Sequence, residues 1–240
     1  MSFSRRLLQN LTIGFLLVIQ LLPVVFAEVP LVAFEANYEL FYGKLKAANA
    51  QLSLSQSGNN WRWLLTTQPK GLASLLTSKN PYSETIFARV DGNHRIQELI
   101  IADDAEKAKE VETAKFDWNS AQVETMRKEV TNNLPLTGDV YDNLSIHLFS
   151  AKMLDENLPQ ASVKYYYKGR VVKSELKQLD KTSITLNEKD LEVMVVEQSV
   201  QDSSTKYTYY YDPSIPFIPM KIVTGKPDKK ATTWLYVPTK

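Results

Sequence analysis

The strongest constraint on the fold is an alternation of apolar and polar side chains that recurs along most of the chain. Phe34, Ala36, Tyr38, Leu40 and Tyr42 fall on one parity, with glutamate and asparagine among the residues between them. Successive side chains of a strand point to opposite faces, so this spacing predicts a strand with one wet face. The same alternation occurs in the segments 61–65, 86–90, 163–167, 184–186, 191–195, 207–211, 218–222 and 232–236.

Short turn signals separate these segments. Asp91-Gly92 is the strongest of them, because a two-residue type I′ turn needs positive φ at both central positions. A meander of roughly a dozen strands must close, curl or split into two sheets, since long exposed edges invite aggregation. We therefore predict a mainly β fold, a curled antiparallel sheet that forms an open or closed barrel, in preference to a sandwich.

One or two short helices interrupt the predicted meander. Segment 146–157 follows Asp142, a candidate N-cap, and carries Leu148, Ala151 and Leu154 near helical spacing. Segment 71–77 is a second, shorter candidate. The segment 103–114 is rich in Ala, Glu and Lys, but it lies between predicted strands, so helix and strand both stay open there.

The first 27 residues have the pattern of a secretory signal. Arg5 and Arg6 precede an apolar run over 11–22, and Ala27 ends a Val-x-Ala cleavage pattern. The run is shorter than the roughly 20 residues that a spanning helix needs, and no later stretch is as apolar. We therefore predict a signal peptide over 1–27, cleavage after Ala27, and a single β-rich domain over 28–240 with no membrane span.

Charge and composition limit the classes of partner and of metal or catalytic site that the sequence supports. The chain has 28 basic and 27 acidic residues, so it offers no bulk attraction to nucleic acid. There is no cysteine, and the two histidines, His94 and His147, stand outside any metal-binding motif. We predict no metal and no cofactor, with both histidines as packed or surface residues.

Carboxylates are the remaining candidates for catalytic residues. Asp103, Asp104, Asp117, Asp139 and Asp142 are the acids that a glycoside-cleaving pair would draw on. Adjacent acids on a strand face opposite sides, and the others look like turn or cap residues. We expect no enzyme, and keep a hydrolase of envelope polymer as the least favoured alternative.

Short motifs follow one another in a characteristic order and spacing. They are Phe34-x3-Tyr38-x3-Tyr42-Gly43, Gly71-Leu72, Ser83-Glu84-Thr85, Phe116-Asp117-Trp118, Asp142-Asn143-Leu144-Ser145, Tyr165 to Gly169, and Pro216 to Ile222. Together they resemble the exported bacterial family known as domain of unknown function 3108, with a departure at the 187–191 hairpin. The resemblance implies an exported domain in the periplasm of a Gram-negative bacterium, built as an incomplete barrel like that of the periplasmic lipoprotein carriers. It implies no reaction and no catalytic residue.

Aromatic side chains suggest a binding surface. Tyrosine occurs 12 times, and alternation places several aromatics of each predicted strand on one face. One interpretation is an ordinary β core; the other is the wall of a cavity for a lipid or other apolar envelope molecule, or for sugar rings. An envelope module that docks a protein through a sheet edge or the 131–141 loop is the alternative function. The candidate ligand-binding residues are Trp61, Trp63, Phe116, Trp118, Tyr165, Tyr167, Tyr207, Tyr209 and Tyr211.

Overall fold

Fifteen strands of one sheet account for most of the residues that the computed structural model describes, which are 31–71, 73–74, 79–90, 92–104 and 110–238. Helix α1 spans Ile146–Asp155. The strands are β1 Phe34–Tyr42, β2 Leu45–Ser57, β3 Asn60–Pro69, β4 Tyr82–Val90, β5 Asn93–Ala102, β6 Glu110–Asp117, β7 Gln122–Arg127, β8 Val130–Pro135, β9 Val140–Tyr141, β10 Gln160–Tyr167, β11 Arg170–Leu186, β12 Lys189–Val200, β13 Lys206–Tyr211, β14 Pro219–Gly225 and β15 Thr232–Val237.

The predicted antiparallel meander is confirmed. The strand order is β8-β7-β6-β5-β4-β3-β2-β1-β15-β14-β13-β12-β11-β10-β9, so the first and last strands meet in the middle of the sheet. All neighbours are antiparallel except β9 and β10, which form a short parallel pair. The free edges are β8 and β9, and no hydrogen-bonded ladder joins them within the described residues. Of the two predicted forms, the sheet is the open one, and it is curled.

The two end regions of the curled sheet overlap and contact each other through side chains. Residues paired across strands share a face, so the register carries one inner face from Trp63 through Thr85 and Leu99 to Ala114. At the other end of the sheet, Tyr165 of β10 faces the interior while Tyr166, on the opposite face, is 3% exposed and packs beside Phe116. Strand β10 is therefore buried on both faces, with its outer face against the inner face of β5–β7.

A buried carboxylate fastens this overlap. Glu112 of β6 accepts a hydrogen bond from the backbone N–H of Gly169, 2.9 Å away, with one oxygen. Its other oxygen accepts from Nε of Arg127 at 2.8 Å. Gly169 has φ of +77°, a conformation that favours glycine, and a Cβ there would lie 3.4 Å from the Arg127 side chain. The β10–β11 turn is thus held against β6 and β7.

Helix α1 occupies the inside of the curl. Leu148 and Ala151 pack in a cluster built mainly on β1–β4, whereas Ile146, Met153 and Leu154 pack in a second cluster built on β10–β13. A helix that is buried on most sides must be enclosed, and the sheet wraps around it.

The predicted helix is confirmed, but its predicted N-cap is wrong. Ser145 stands at the cap position, and the helix ends at Asp155 with Asn157 in a left-handed conformation at φ of +52°. Asp142 lies further upstream, and its side chain holds Ser145, because the intervening residues form a turn of their own.

The two remaining secondary-structure questions are settled only in part. Segment 103–114 enters β6 at Glu110, so its last part is strand, whereas 105–109 lies outside the described residues. The candidate helix over 71–77 falls largely outside them, as do the predicted signal peptide and Ala27.

Among the described helices, none has the length and apolar character to cross a bilayer.

Candidate functional site

Two pockets lie at opposite ends of α1, between the helix and the sheet. The first, near the start of the helix, has a volume of about 120 Å³, and we call it the aromatic pocket. Its lining residues are Tyr38, Leu52, Leu65, Asn143, Leu144, His147, Tyr207, Tyr209, Ile222, Thr224 and Trp234. Most of this wall is apolar, so the pocket suits an apolar guest.

Strand register assembles the wall of the aromatic pocket. Trp234 pairs with Leu40 on one side and with Ile222 on the other, and Ile222 pairs with Tyr209. Because paired residues share a face, these side chains form one inward row across four strands. Tyr207 and Tyr209 stack at 6.4 Å between ring centroids and 14° between planes. The wall is a rigid set of rings held by the ladder.

His147 is the polar residue of α1 in this pocket. Its Nδ1 lies 2.8 Å from the hydroxyl oxygen of Tyr211, and its ring meets Tyr209 edge to face at 5.0 Å. Burial lowers the pKa of His147 to about 3, because water is excluded from the charged form. The imidazole is therefore neutral near pH 7 and carries no charge into the pocket.

The hydroxyl of Tyr209 is also engaged. It donates to Oε1 of Gln198, whose Nε2 donates to Oγ of Ser174 at 2.9 Å. Gln198 is fully buried, and burial raises the pKa of Tyr209 well above its usual value. Tyr209 thus stays protonated as a donor to Gln198.

The second pocket lies beside the last turns of α1 and the start of β5. It has a volume of about 200 Å³, and we call it the hairpin pocket. Its lining residues are Leu31, Gly92, Asn93, His94, Tyr141, Leu148, Phe149, Ala151, Lys152, Asp155, Glu156 and Phe217. Its wall combines aromatic rings and aliphatic groups with one histidine, and Lys152 and Asp155 of the helix add charges of both signs.

The nine candidate ligand-binding residues do not form one wall. Tyr207 and Tyr209 line the aromatic pocket, and Tyr211 supports it through His147. The others belong to the packed clusters: Trp61 and Trp63 against β1–β4, Tyr165 and Tyr167 beside Tyr209, and Phe116 and Trp118 at the overlap.

Sequence reasoning missed Tyr38, His147 and Trp234 as pocket residues. Tyr38 and Trp234 lie in segments with the alternation that predicts strands, but nothing in the sequence indicates that β1 and β15 are neighbours. His147 lies one residue before Leu148, which carried the helical spacing, so its burial depends on enclosure by both halves of the sheet.

Two of the candidate carboxylates, Asp117 and Asp142, hold parts of the fold through hydrogen bonds. Asp117 accepts hydrogen bonds from the backbone N–H groups of Asn119, at 2.9 Å, and Ser120, at 3.1 Å. Asp142 is 1% exposed and accepts from the hydroxyl groups of Thr85 and Ser145 and from the backbone N–H of Ser145. Burial raises the pKa of Asp142, although these hydrogen bonds oppose the rise.

The sequence model of one protein family matches residues 37–227, in agreement with the resemblance seen in the motifs. The chain belongs to the family described as Protein of unknown function (DUF3108). No protein among the curated sequences matches it.

Two solved structures are similar to this DUF3108 protein. The beta-barrel-like protein of domain of unknown function DUF1849 from Brucella abortus has a TM-score of 0.56 at 13% identity, over 87% of this chain and 97% of its own. A protein with a YmcC-like fold from Bacteroides fragilis covers 84% of this chain and 92% of its own, at 5% identity and a TM-score of 0.33. The first likeness shows a shared fold.

Six of the seven motifs that mark this DUF3108 protein contact one another in pairs. The hydroxyl of Tyr38 donates to the backbone oxygen of Pro219 at 2.9 Å, and that of Thr85 donates to Asp142. Phe116 meets Tyr166 edge to face at 6.4 Å. Each pair joins segments far apart in sequence, so the motifs hold the curl together.

Proposed function

We propose that this DUF3108 protein is an exported, non-enzymatic binding module. It takes the apolar end of a hydrophobic or amphiphilic component of the cell envelope into the aromatic pocket. The observation that carries the proposal is the inward row of rings beside α1, where the polar groups of His147 and Tyr209 are hydrogen-bonded to other side chains.

The size of the pocket limits the guest. Its volume of about 120 Å³ is close to that of apolar cavities of about 150 Å³ that accept benzene. One ring or a short branched alkyl group therefore fits, and the rest of a longer ligand stays outside. A cavity that filled the interior of the sheet would need the space that α1 occupies.

A binding role fits the state of His147 better than catalysis does. A general base works best when its pKa lies near the operating pH. The pKa of His147 is lowered to about 3 by burial, and its Nδ1 is bonded to Tyr211. This histidine is a poor base for chemistry at neutral pH.

Export is supported by the pattern of residues 1–27. The test is to express the full chain in a Gram-negative host, fractionate the cells and sequence the N-terminus of the protein. We expect a periplasmic protein that begins at Glu28. A full-length protein in the cytoplasm would contradict the export half of the proposal.

Native mass spectrometry of the protein purified from its own periplasm tests the binding half. Thr224 lines the pocket, whereas Thr208, on neighbouring β13, belongs to the opposite parity from Tyr207 and Tyr209. We expect the wild type and Thr208→Phe to carry an adduct, and Thr224→Phe, which fills the pocket, to lose it. The absence of an adduct on the wild type, or an adduct retained by Thr224→Phe, would contradict the proposal.

A further inference from the structure

The aromatic pocket reaches solvent at one end of the sheet. Tyr38 and Tyr209 in its wall are buried, whereas Tyr207 and Thr224 are partly exposed and Asn143 is exposed. Tyr207 pairs with Thr224, one residue inside the start of β13 and one residue inside the end of β14. The mouth of the pocket therefore lies where β14 runs into the loop that leads to β15.

This loop, residues 226–231, is rich in lysine. It begins two residues after Thr224 and carries Lys226, Lys229 and Lys230, all exposed, against one acid, Asp228. The loop therefore brings a net positive charge to the end of the sheet at which the aromatic pocket opens.

The turn between β10 and β11 supplies a further lysine at the same end. Tyr167, the last residue of β10, packs against the same cluster as Tyr207, and its hydroxyl oxygen lies 3.2 Å from Oγ of Ser203. Nζ of Lys168 lies 4.8 Å from the centroid of the Tyr167 ring. Burial and the neighbouring Tyr167 raise the pKa of Tyr207. Lys168 thus lies beside a ring that neighbours the pocket wall.

The hydroxyl group of Tyr167 responds to two of these lysines. Burial by itself would raise the pKa of Tyr167. Its hydrogen bond with Ser203 and the positive charges of Lys168 and Lys226 act in the opposite direction, and the pKa is lowered. Lys168 and Lys226 come from different loops and act on one hydroxyl group, so both lie on the same side of the mouth.

Other charged side chains at this end are paired. Nζ of Lys206 lies 3.3 Å from Glu197, and Arg170 lies 3.8 Å from Asp202. Within the part of the chain that the structure describes, neither Lys168 nor Lys226 forms an ion pair with an acid. Lysines without an acidic partner beside an apolar pocket attract a negatively charged group.

We propose that the amphiphile bound in the aromatic pocket has an anionic head, such as a phosphate or a carboxylate, which Lys168 and Lys226 bind at the mouth. This inference rests on the proposed function, because the apolar end in the pocket positions the head. The hairpin pocket has no such excess of positive charge, since Lys152 lies there beside Asp155 and Glu156.

Calorimetric titration with octyl phosphate and with octanol at low ionic strength tests the head. The two probes share an alkyl chain that is longer than the pocket can enclose, and they differ in charge. An exposed pair of opposite charges changes affinity by about two- to fivefold, so two lysines should make octyl phosphate bind about tenfold more tightly. In about 1 M NaCl most of this preference should disappear, because salt screens exposed charges.

The double variant Lys168→Gln/Lys226→Gln should bind the two probes alike. Its matched control is Lys177→Gln/Lys189→Gln, which removes the same charge from exposed positions. Lys177 pairs with Gln160 at the start of β10, whereas Lys168 follows the end of that strand. The control should keep the wild-type preference.

Three results would overturn the anionic head. They are equal affinity of the wild type for both probes, a preference that survives in the rim double variant, and a preference lost equally in the matched control. Inorganic phosphate, tested alone, should bind far more weakly than octyl phosphate. Equal affinity for these two anions would show a site for a free anion and would also contradict the proposal.

Thr224→Phe separates this inference from the proposed function. It should abolish binding of both octyl probes, whereas Thr208→Phe, on the opposite parity, should bind them as the wild type does. If Thr224→Phe still bound octanol normally, the aromatic pocket would not be the site and both proposals would fail. If it lost both probes while the wild type bound them equally, the proposed function would stand and only the anionic head would be wrong.

Discussion

The two ends of α1 are built in opposite ways. At its start, Asp142 and His147 are buried and each has defined hydrogen-bond partners. At its end, Lys152 is exposed, and the buried nitrogen of His94 has no partner. The polar groups at the first end are hydrogen-bonded within the fold, whereas the second end holds a buried nitrogen without a partner. Stability should therefore depend more on the polar groups at the first end than on those at the second.

The sharpest test of this contrast is the removal of a carboxylate from each end. Asp142→Ala leaves the backbone N–H of Ser145 and the hydroxyl of Thr85 without their acceptor in a buried site, so the free energy of unfolding should fall by about 3 kcal/mol. Urea denaturation measures the change. Asp155→Ala, at the exposed end, is the control and should change stability by less than about 0.5 kcal/mol; equal losses would break the comparison.

The two histidines give the next largest difference. Tyr211→Phe removes the partner of His147 Nδ1 and should destabilise the protein by about 2 kcal/mol. His94→Phe removes a nitrogen that has no partner, and should cost almost nothing or stabilise slightly. Thermal unfolding of both variants measures this difference in stability. If His94→Phe proved the more harmful of the two, the assignment of roles to the two ends would be reversed.

Acidification should destabilise the protein through both histidines. Their pKa values in the folded state are lowered, to about 3 for His147 and about 4 for His94, whereas an unfolded histidine takes up its proton near 6.5. As the pH falls from 7 to 5 the unfolded state binds protons that the folded state does not, so each histidine lowers the free energy of unfolding by about 2 kcal/mol.

Other groups titrate in the same range, so the measurement compares the wild type with His94→Phe. The variant lacks one of the two histidines, and its loss of stability between pH 7 and pH 5 should be smaller by about 2 kcal/mol. Identical pH dependence of the two proteins would show that His94 titrates normally in the fold.

The smallest effect is expected from the ion pair at the end of α1. Lys152 and Glu156 stand 4.0 Å apart, with the lysine side chain 59% exposed. Exposed pairs of this spacing contribute about 0.3–0.5 kcal/mol, so Lys152→Ala should lower the free energy of unfolding by no more than this. A loss above about 1 kcal/mol in urea denaturation would place a structural anchor at this end too.

The sequence predicts the local structure well. Alternation located strands such as 34–42 and 207–211, and the turn signals correctly implied antiparallel neighbours. The spacing of Leu148, Ala151 and Leu154 located α1. These features depend on periodicities of 2 and 3.6 residues, which are properties of the chain itself.

Pocket composition was harder to predict, because it depends on which segments meet. Tyr207 and Tyr209 were candidates, but their neighbours Tyr38, Trp234 and His147 come from β1, β15 and α1. Trp61 and Phe116 have the same alternating signal and do not line this pocket. Alternation assigns a side chain to a face and carries no information on whether that face meets a pocket or a packed core.

The sequence by itself determined the strands, the helix, the family and an alternating face of aromatic side chains. Only the tertiary structure decided that the sheet overlaps with no closing ladder among the described residues, that α1 fills its interior, and that Nδ1 of His147 is hydrogen-bonded whereas Nε2 of His94 is not. The physical reason is how far apart along the sequence the interacting residues lie. Strand and helix patterns are set by steric preferences between residues close in sequence, whereas overlap and pairing depend on contacts such as Tyr166 with Phe116, between segments distant along the chain.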